Sequence, residues 1–479
     1  MSTRDRIVAS VIIVAAAGFV YRDAVSAYFF DDDFQWLVST WAFRPGQLVD
    51  VAQMNHFYRP VIDMYFAAAT PLFGGSPTLF HLANIGLHMA NGLLLMALAR
   101  ALSGSPVYGF LAALFFVVQP SDVDAVAWVS ALAEPVSAFF GCLALLWFLR
   151  FREGGHTRWH ALSGVAFLLA LLTHESSVVF FPLLILAAWA ARDPTDVGGA
   201  RVRRASGFRP FIPYCVLLVA YLAVDLQVNS RNYVVAEGHY GVGGHVVTNA
   251  LDYLVALYVG RRDLANYVLV VVGLGALMLF GSRRVVFATS WLVLALLPFV
   301  FFTWGNTSRY LYLPAMGFSM LVAEGLVHLD RLAAPRLSRA ARTAALALVA
   351  TAIAGRFALF AADNVSHFAE RTEEYRRYIT LFKQVHGDLP AQSRVAPDPR
   401  LRIDHPPAFL NALVQWEYRD PTIALARTRA AATGSVRPRS AISKWYTRRS
   451  ARSRRGQGRG RGERRRGQSK RGPQSQPQY

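Results

Sequence analysis

Charge is scarce in this chain of 479 residues: Asp, Glu, Lys and Arg together make up 17% of it, against 54% hydrophobic residues. Soluble domains carry about 25% charged residues, and with a mean hydropathy of +0.30 the composition argues against a soluble globular protein. Lysine is almost missing, with Lys383, Lys444 and Lys470 the only three. Beside the alanine richness this reflects a GC-rich coding bias and carries no functional weight. Cysteine is nearly absent too. Cys142 and Cys215 both fall in apolar runs, which excludes a disulfide framework and a cysteine-based metal site. No internal repeat is found either, so a solenoid or propeller is excluded.

What the chain does have is apolar blocks of about 16–22 residues, long enough to cross a hydrocarbon core of about 30 Å as helices. The first runs from Ile7 to about Tyr21, behind Arg4 and Arg6. Val25-Ser26-Ala27 after it imitates a signal-peptidase site, but the many later spans favour an uncleaved helix. Further spans are expected at about 78–100, 106–119, 131–150, 159–174, 176–191, 211–227, 265–281, 285–303, 309–327 and 343–361. The expectation is an all-α polytopic membrane protein of about eleven transmembrane helices. With the N-terminus inside, Arg100, Arg150, Arg152, Arg158, Arg192, the run Arg201 to Arg209, Arg283, Arg284 and the run Arg331 to Arg342 fall in cytoplasmic loops, as the positive-inside rule requires. Residues after about 361 then lie outside.

The external segments are longer than connections need, and loops are where function concentrates. The first, from Tyr28 to about Pro77, holds Asp31, Asp32 and Asp33 directly after a span, then His56-Phe57-Tyr58-Arg59-Pro60. Three adjacent carboxylates repel, which raises at least one pKa; they can act as a general base or bind a divalent cation such as magnesium or manganese. The bland alternative is a solvated stop signal. An arginine among aromatics at an interface can grip a lipid phosphate or serve as an anchor belt. Pro60 to Phe73 and Leu251 to Val259 are short apolar stretches that suggest interfacial helices. Asp122, Asp124 and Glu134 bracket another external turn, and His174-Glu175 ends a span on that side. No second histidine follows at zinc spacing. Asn84, His81 and His88 share one helix face, where helix–helix hydrogen bonding is the ordinary role.

These stretches, in this order, resemble the C-type glycosyltransferases, multispanning enzymes that use polyprenyl-phosphate sugars. The likeness is closest to the protein O-mannosyltransferases with transmembrane and tetratricopeptide-repeat regions, and to their bacterial relatives. The acidic pair and Tyr58-Arg59-Pro60 are followed by Leu79-Phe80-His81-Leu82-Ala83-Asn84-Ile85-Gly86-Leu87-His88, by Gln119-Pro120 through Ala133-Glu134, by Leu172-Thr173-His174-Glu175 and by Arg309-Tyr310-Leu311-Tyr312-Leu313-Pro314. The resemblance covers about residues 25–325. It departs from the family pattern at Gln119, where the family has His, at His174, where it has Lys, and in lacking the repeats.

The resemblance implies a GT-C-like bundle in which Asp32 or Asp33, with Asp31 beside them, activates an acceptor hydroxyl. The hydroxyl displaces polyprenyl phosphate from the sugar with inversion, while Arg59 and Arg309 meet the departing phosphate. His56, Tyr58, Asp124, Glu134, His174, Glu175 and Tyr310 complete the expected substrate-binding set. The implied partners are a polyprenyl-phosphate sugar donor, a hydroxyl acceptor on protein, lipid or glycan, and membrane lipids. The implied setting is a bacterial inner membrane with the site on its periplasmic face. A transporter or flippase for a lipid-linked glycan is the alternative, but it would place its ionisable groups at mid-membrane and show related halves.

The expected organisation is a membrane domain over 1–361, a small external region over 362–432 with Phe368, Tyr375, Tyr378 and Phe382 as an apolar stripe, and a disordered tail over 433–479. From Lys444 onward the tail has thirteen Lys and Arg against Glu463 alone. Gly-Arg segments bind nucleic acid, but an external tail meets anionic lipid or wall polymer instead; the abrupt shift in composition also fits an altered reading frame. The topology has a direct test. Reporter fusions at Arg204 and Asp388 are expected to report opposite compartments, and the same compartment for both would refute the eleven-span arrangement.

Overall fold

A computed structural model describes residues 2–51, 57–191, 207–303, 307–396 and 405–426, all within one compact unit, Met1–Gly434. The tail from Thr433 lies outside the described residues. The chain is helical almost throughout: α1 Thr3–Tyr21, α2 Asp33–Ser39, α3 Pro60–Leu72, α4 Pro77–Ser103, α5 Pro106–Val117, α6 Val123–Ala127, α7 Ala133–Gly154, α8 Thr157–Leu171, α9 Phe180–Ala190, α10 Ile212–Asn229, α11 Tyr233–Ala236, α12 His245–Leu257, α13 Leu264–Phe280, α14 Arg283–Val300, α15 Tyr312–Ala333, α16 Arg339–His386 and α17 Pro407–Tyr418. A two-residue parallel ladder, β1 Arg394–Val395 with β2 Ala424–Leu425, ties the last loop together.

Local sequence explains the boundaries. Ser2 and Asp5 form a reciprocal capping box on α1, which supplies acceptors to otherwise orphaned amides. Pro60, Pro77 and Pro106 open α3, α4 and α5, where the missing N–H costs nothing. Gly104 and Gly155 close α4 and α7 in the left-handed conformation that glycine adopts without strain. At Gln119-Pro120 the chain turns by 48° between α5 and α6, because proline cannot continue the hydrogen-bond ladder of the preceding turn.

Each of the eleven apolar blocks carries a helix, and the chain is a multi-pass membrane protein. Among the described residues seven helices, or eight if the bent pair α5–α6 counts as one span, are long and apolar enough to cross a bilayer. The stretches Glu175–Ala190 and Leu264–Phe280 are shorter apolar helices, and α8 has 15 residues. The last helix differs most from expectation. Its 48 residues reach on the order of 70 Å at 1.5 Å per residue, more than twice a hydrocarbon core, and it runs unbroken past residue 361. Polar residues after Asp363 end its hydropathy but not its helicity. Phe368, Tyr375, Tyr378 and Phe382 are buried along it, under the first loop and α17.

The two expected interfacial pieces are helices, α3 and α12. Polar side chains inside the bundle stitch helices together. Asn91 donates to the Pro135 carbonyl at 2.8 Å and to Tyr312 Oη at 3.0 Å; His88 Nδ1 lies 2.9 Å from that same hydroxyl. Asn84 donates to the Trp128 carbonyl at 3.3 Å. Close helix crossings need glycine. A Cβ on Gly317 would stand 2.7 Å from the Ala288 carbonyl oxygen and 2.8 Å from the Leu292 nitrogen of α14, and neither backbone atom can yield. Gly317→Ala is therefore expected to destabilise the fold by about 1–3 kcal/mol, read as a lower melting temperature in detergent. Gly86→Ala, with nothing within 4 Å, is expected to gain about 0.5–1 kcal/mol from helix propensity.

Candidate active site

The acidic cluster sits where α1 hands over to α2. Asp31 has φ +47°, a left-handed conformation that Asp tolerates better than most residues, and the turn aims its two successors inward. Asp33 is fully buried. Its Oδ2 accepts the Phe30 N–H at 2.8 Å and its Oδ1 the Ser130 N–H at 2.7 Å. Asp32 accepts a hydrogen bond from Ser130 Oγ at 2.5 Å through Oδ1; among the described residues its Oδ2 has no hydrogen-bond partner. Asp31 faces the other way, accepting from the Tyr375 hydroxyl and lying 3.0 Å from His405 Nδ1.

Environment separates the carboxylates. Burial pushes Asp32 above the usual carboxylate range, against the pull of Arg309 and of the Ser130 hydroxyl. Asp33 is driven up further, by burial and by Asp32, while the two backbone amides oppose the shift.

The other expected residues meet in pairs drawn from distant stretches. The Val61 N–H donates to the Leu172 carbonyl at 3.1 Å, which sets the start of α3 against the His174-Glu175 turn. There Arg59 holds Glu175 through Nε and an amino nitrogen, the latter at 2.8 Å, and stacks on Phe57 at 4.3 Å. Burial weakens the Arg59 charge, but Glu175 beside it more than restores it. His174 Nδ1 accepts the Ser176 N–H at 3.1 Å, so its proton is assigned to Nε2, 3.4 Å from Glu134. Tyr58 is half-buried at the same corner. His56 lies outside the described residues.

Arg309 opens the approach to α15. Its guanidinium stacks on Trp128 at 4.8 Å and on Tyr310 at 5.2 Å, and donates weakly to Tyr310 Oη at 3.4 Å. Among the described residues it forms no ion pair, although Asp32, Asp124 and Glu134 all act on it or feel its charge. Tyr310 is fixed by stacking on Phe299 at 4.4 Å. Asp124 accepts from Ser308 Oγ and faces Arg371 at 3.5 Å, which ties the α5–α6 turn to the arginine's strand of chain.

Ser130, Trp128 and His405 are contributors that the residue pattern did not single out, and Tyr375 stands in that pattern only as part of an apolar stripe. Ser130 lies inside a turn already marked by Gln119 and Glu134, but a serine there carries no signal of its own. Tyr375 and His405 lie beyond the resemblance altogether. Asp33 spends both oxygens on amide donors, and among the described residues no three His, Cys, Asp or Glu side chains converge as cation ligands.

No family model matches the chain. A stretch of 105 residues is 30% identical to the protein O-mannosyl-transferase TMTC2 of Mus musculus, covering 22% of this chain and 13% of that protein. The Xenopus laevis protein of that name is 33% identical over 106 residues, again 13% of its length. The chain thus matches only a small part of these curated relatives. The structural likeness is far broader. ArnT from Cupriavidus metallidurans bound to undecaprenyl phosphate superposes with a TM-score of 0.51 at 14% identity, over 90% of this chain and 88% of that one. Its apo state gives 0.50 at 15% identity, over 89% and 87%. With its helices, its order of motifs and the pairing of those motifs in space, the chain has the fold of the C-type membrane glycosyltransferases.

Proposed function

We propose that the protein is a C-type glycosyltransferase that moves a sugar from a polyprenyl-phosphate donor to an acceptor hydroxyl on the non-cytoplasmic face of a bacterial inner membrane. The observation that carries this reading is the pairing of Asp32 and Arg309, each of which feels the other's charge: among the described residues, a half-buried carboxylate with one oxygen unengaged, and an arginine with no carboxylate partner. Such an arrangement is made for a reaction that releases a proton at one end and negative charge at the other.

In the proposed step the acceptor oxygen attacks the anomeric carbon from the face opposite the phosphate. Its proton passes to Asp32 Oδ2. The bond from the anomeric carbon to the phosphate oxygen breaks, and its electron pair leaves on the phosphate, which Arg309 stabilises. The configuration inverts. Asp33 positions Asp32 by fixing the turn, and its carboxylate stays on its amides. Arg59 is already committed to Glu175, so its part is to shape the donor corner with His174 and Glu134, and to share the phosphate only if Glu175 releases it. The ArnT structure holds undecaprenyl phosphate, which supports a donor of this class. The membrane domain over 1–361, the external region over 362–432 and the tail over 433–479 remain the proposed organisation.

Removing the base separates the two acids. Asp32→Asn is expected to lower transfer from a polyprenyl-phosphate sugar about 10²–10⁴-fold with little change in melting temperature. Asp33→Asn turns an NH₂ toward a backbone N–H and is expected to cost about 1–3 kcal/mol of stability as well as activity. Equal activity in wild type and Asp32→Asn would refute the assignment. The pH profile adds a sign. A base must be ionised, so activity falls as pH drops through the Asp32 pKa, which lies above the ordinary carboxylate value of about 3.9. Arg309→Gln removes the cation that draws that pKa down, so the acid limb of kcat/KM is expected to move to higher pH while the maximal rate falls. An unmoved limb would show that Asp32 is not the titrating base. Arg309→Lys is expected to restore the limb but only part of the rate, because an ammonium cannot reproduce the planar fork.

A further inference from the structure

A recess lies at the end of α2 away from the acidic cluster and takes no part in the step above. It is a cleft of about 340 Å³ lined by Thr40, Trp41, Ala67, Thr70, Pro71, Gly74 and Arg419, a volume within the roughly 300–1,000 Å³ usual for small-molecule sites. Three segments far apart in sequence build it: the residues after α2, the end of α3, and the cap of α17. Thr40 follows α2 by one residue, so the cleft stands about 10 Å along that helix from Asp33, at 1.5 Å per residue.

Two of its side chains are unexplained by the fold. Thr70 is 7% exposed and its Oγ1 is buried with no hydrogen-bond partner, whereas buried hydroxyls in folded proteins are nearly always paired. Arg419 is exposed and takes φ +56° at a helix-ending position where glycine is the ordinary occupant. Its guanidinium lies 4.1 Å over Trp416, and among the described residues it has no ion pair and no side-chain hydrogen bond. The wall beside it is aromatic. Trp41 stacks on Trp416, with centroids 5.6 Å apart and planes at 15°, and remains 37% exposed. Next to the lining residue Gly74, Gly75 packs against the same indole, where a Cβ would come within 2.6 Å of the Trp416 ring.

We infer that this cleft binds a sugar unit carrying an acidic group, on the acceptor side of the transfer site. A pyranose ring presents an apolar C–H face, which an indole covers, and a rim of hydroxyls, which an unpaired threonine hydroxyl can meet. The unpaired guanidinium matches a carboxylate or phosphate on that ring through two parallel hydrogen bonds. The acceptor role rests on the function proposed above; the binding does not.

The test exploits two substitutions that the fold should accept. Arg419→Gly suits the left-handed backbone, and Thr70→Val keeps the shape while removing the orphaned hydroxyl, so both are expected to melt at or above the wild-type temperature. Glucuronic acid is titrated into the full-length protein in detergent and followed by ligand-observed NMR. It is expected to bind with a dissociation constant on the order of millimolar, about tenfold more tightly than glucose. Arg419→Gly is expected to lose about tenfold in that affinity, the scale of one charge-assisted contact, and Thr70→Val a smaller factor. Asp32→Asn is expected to bind glucuronic acid unchanged. Wild-type affinity in Arg419→Gly, or equal binding of glucose and glucuronic acid, would overturn the assignment. So would Arg419-dependent binding of phosphatidylglycerol nanodiscs that excludes the sugar, which would make the cleft a lipid headgroup seat. A protein that binds the acidic sugar yet transfers nothing from any polyprenyl donor would remove the glycosyltransferase reading and leave the cleft standing.

Discussion

The Asp33 carboxylate is the tie on which the site depends. One oxygen takes an amide from its own turn, and the other takes an amide 97 residues away at Ser130. Away from water a backbone N–H without a partner is costly, and so is a buried carboxylate without donors. Each need is met by the other. The consequence is geometric: the first external loop is locked to the turn before α7, and Ser130 Oγ is delivered to Asp32. Only one oxygen of the three-carboxylate cluster's central member is then left for chemistry.

The same accounting sorts the arginines. Arg59 and Glu175 form a close bidentate pair, and removing either one leaves the other charge without compensation. Arg309 is held by aromatic faces instead, which orient a guanidinium without neutralising it. The proposed reaction needs a cation that is placed but not yet satisfied, and aromatic packing provides that. The stacked Phe299–Tyr310 pair and the Ser308–Asp124 hydrogen bond keep the arginine's backbone in register with the α5–α6 turn, so its position is set by contacts that do not compete with a ligand.

Much of this was legible in the residues, for identifiable reasons. Apolar blocks must be helices in a bilayer, because no other local structure satisfies its own backbone, and each block is one. Asp31 to Asp33, Arg59 and Arg309 stood out because charge is rare here. What could not be read was spatial. The 339–386 helix continues past its apolar half because Phe368, Tyr375, Tyr378 and Phe382 are buried along its far half, and hydropathy alone marks where the membrane stops, not where the helix does. Ser130, Tyr375 and His405 are ordinary residue types. Their meaning lies in contacts spanning from 97 to more than 300 residues, which no local pattern encodes. The span expected at 176–191 also proved shorter than its hydropathy suggested, with 11 residues in α9, since the turn at Leu172 to Val179 consumes residues that a simple count assigns to helix.

The two departures from the family pattern have separate physical consequences. Gln119 donates through Nε2 to the Leu257 carbonyl at 2.9 Å, closing the end of α12 onto the α5–α6 turn; an imidazole can offer that donor as well, so the change preserves the architecture. His174 is different. With Nδ1 accepting the Ser176 amide and Nε2 toward Glu134, it is a neutral donor where the family has a lysine, a fixed cation. The donor corner therefore holds one positive charge fewer, and Arg59 there is already paired with Glu175. In the proposed reaction the burden of meeting a departing phosphate then falls on Arg309, the one cation at the site that is both placed by its neighbours and, among the described residues, without a carboxylate partner.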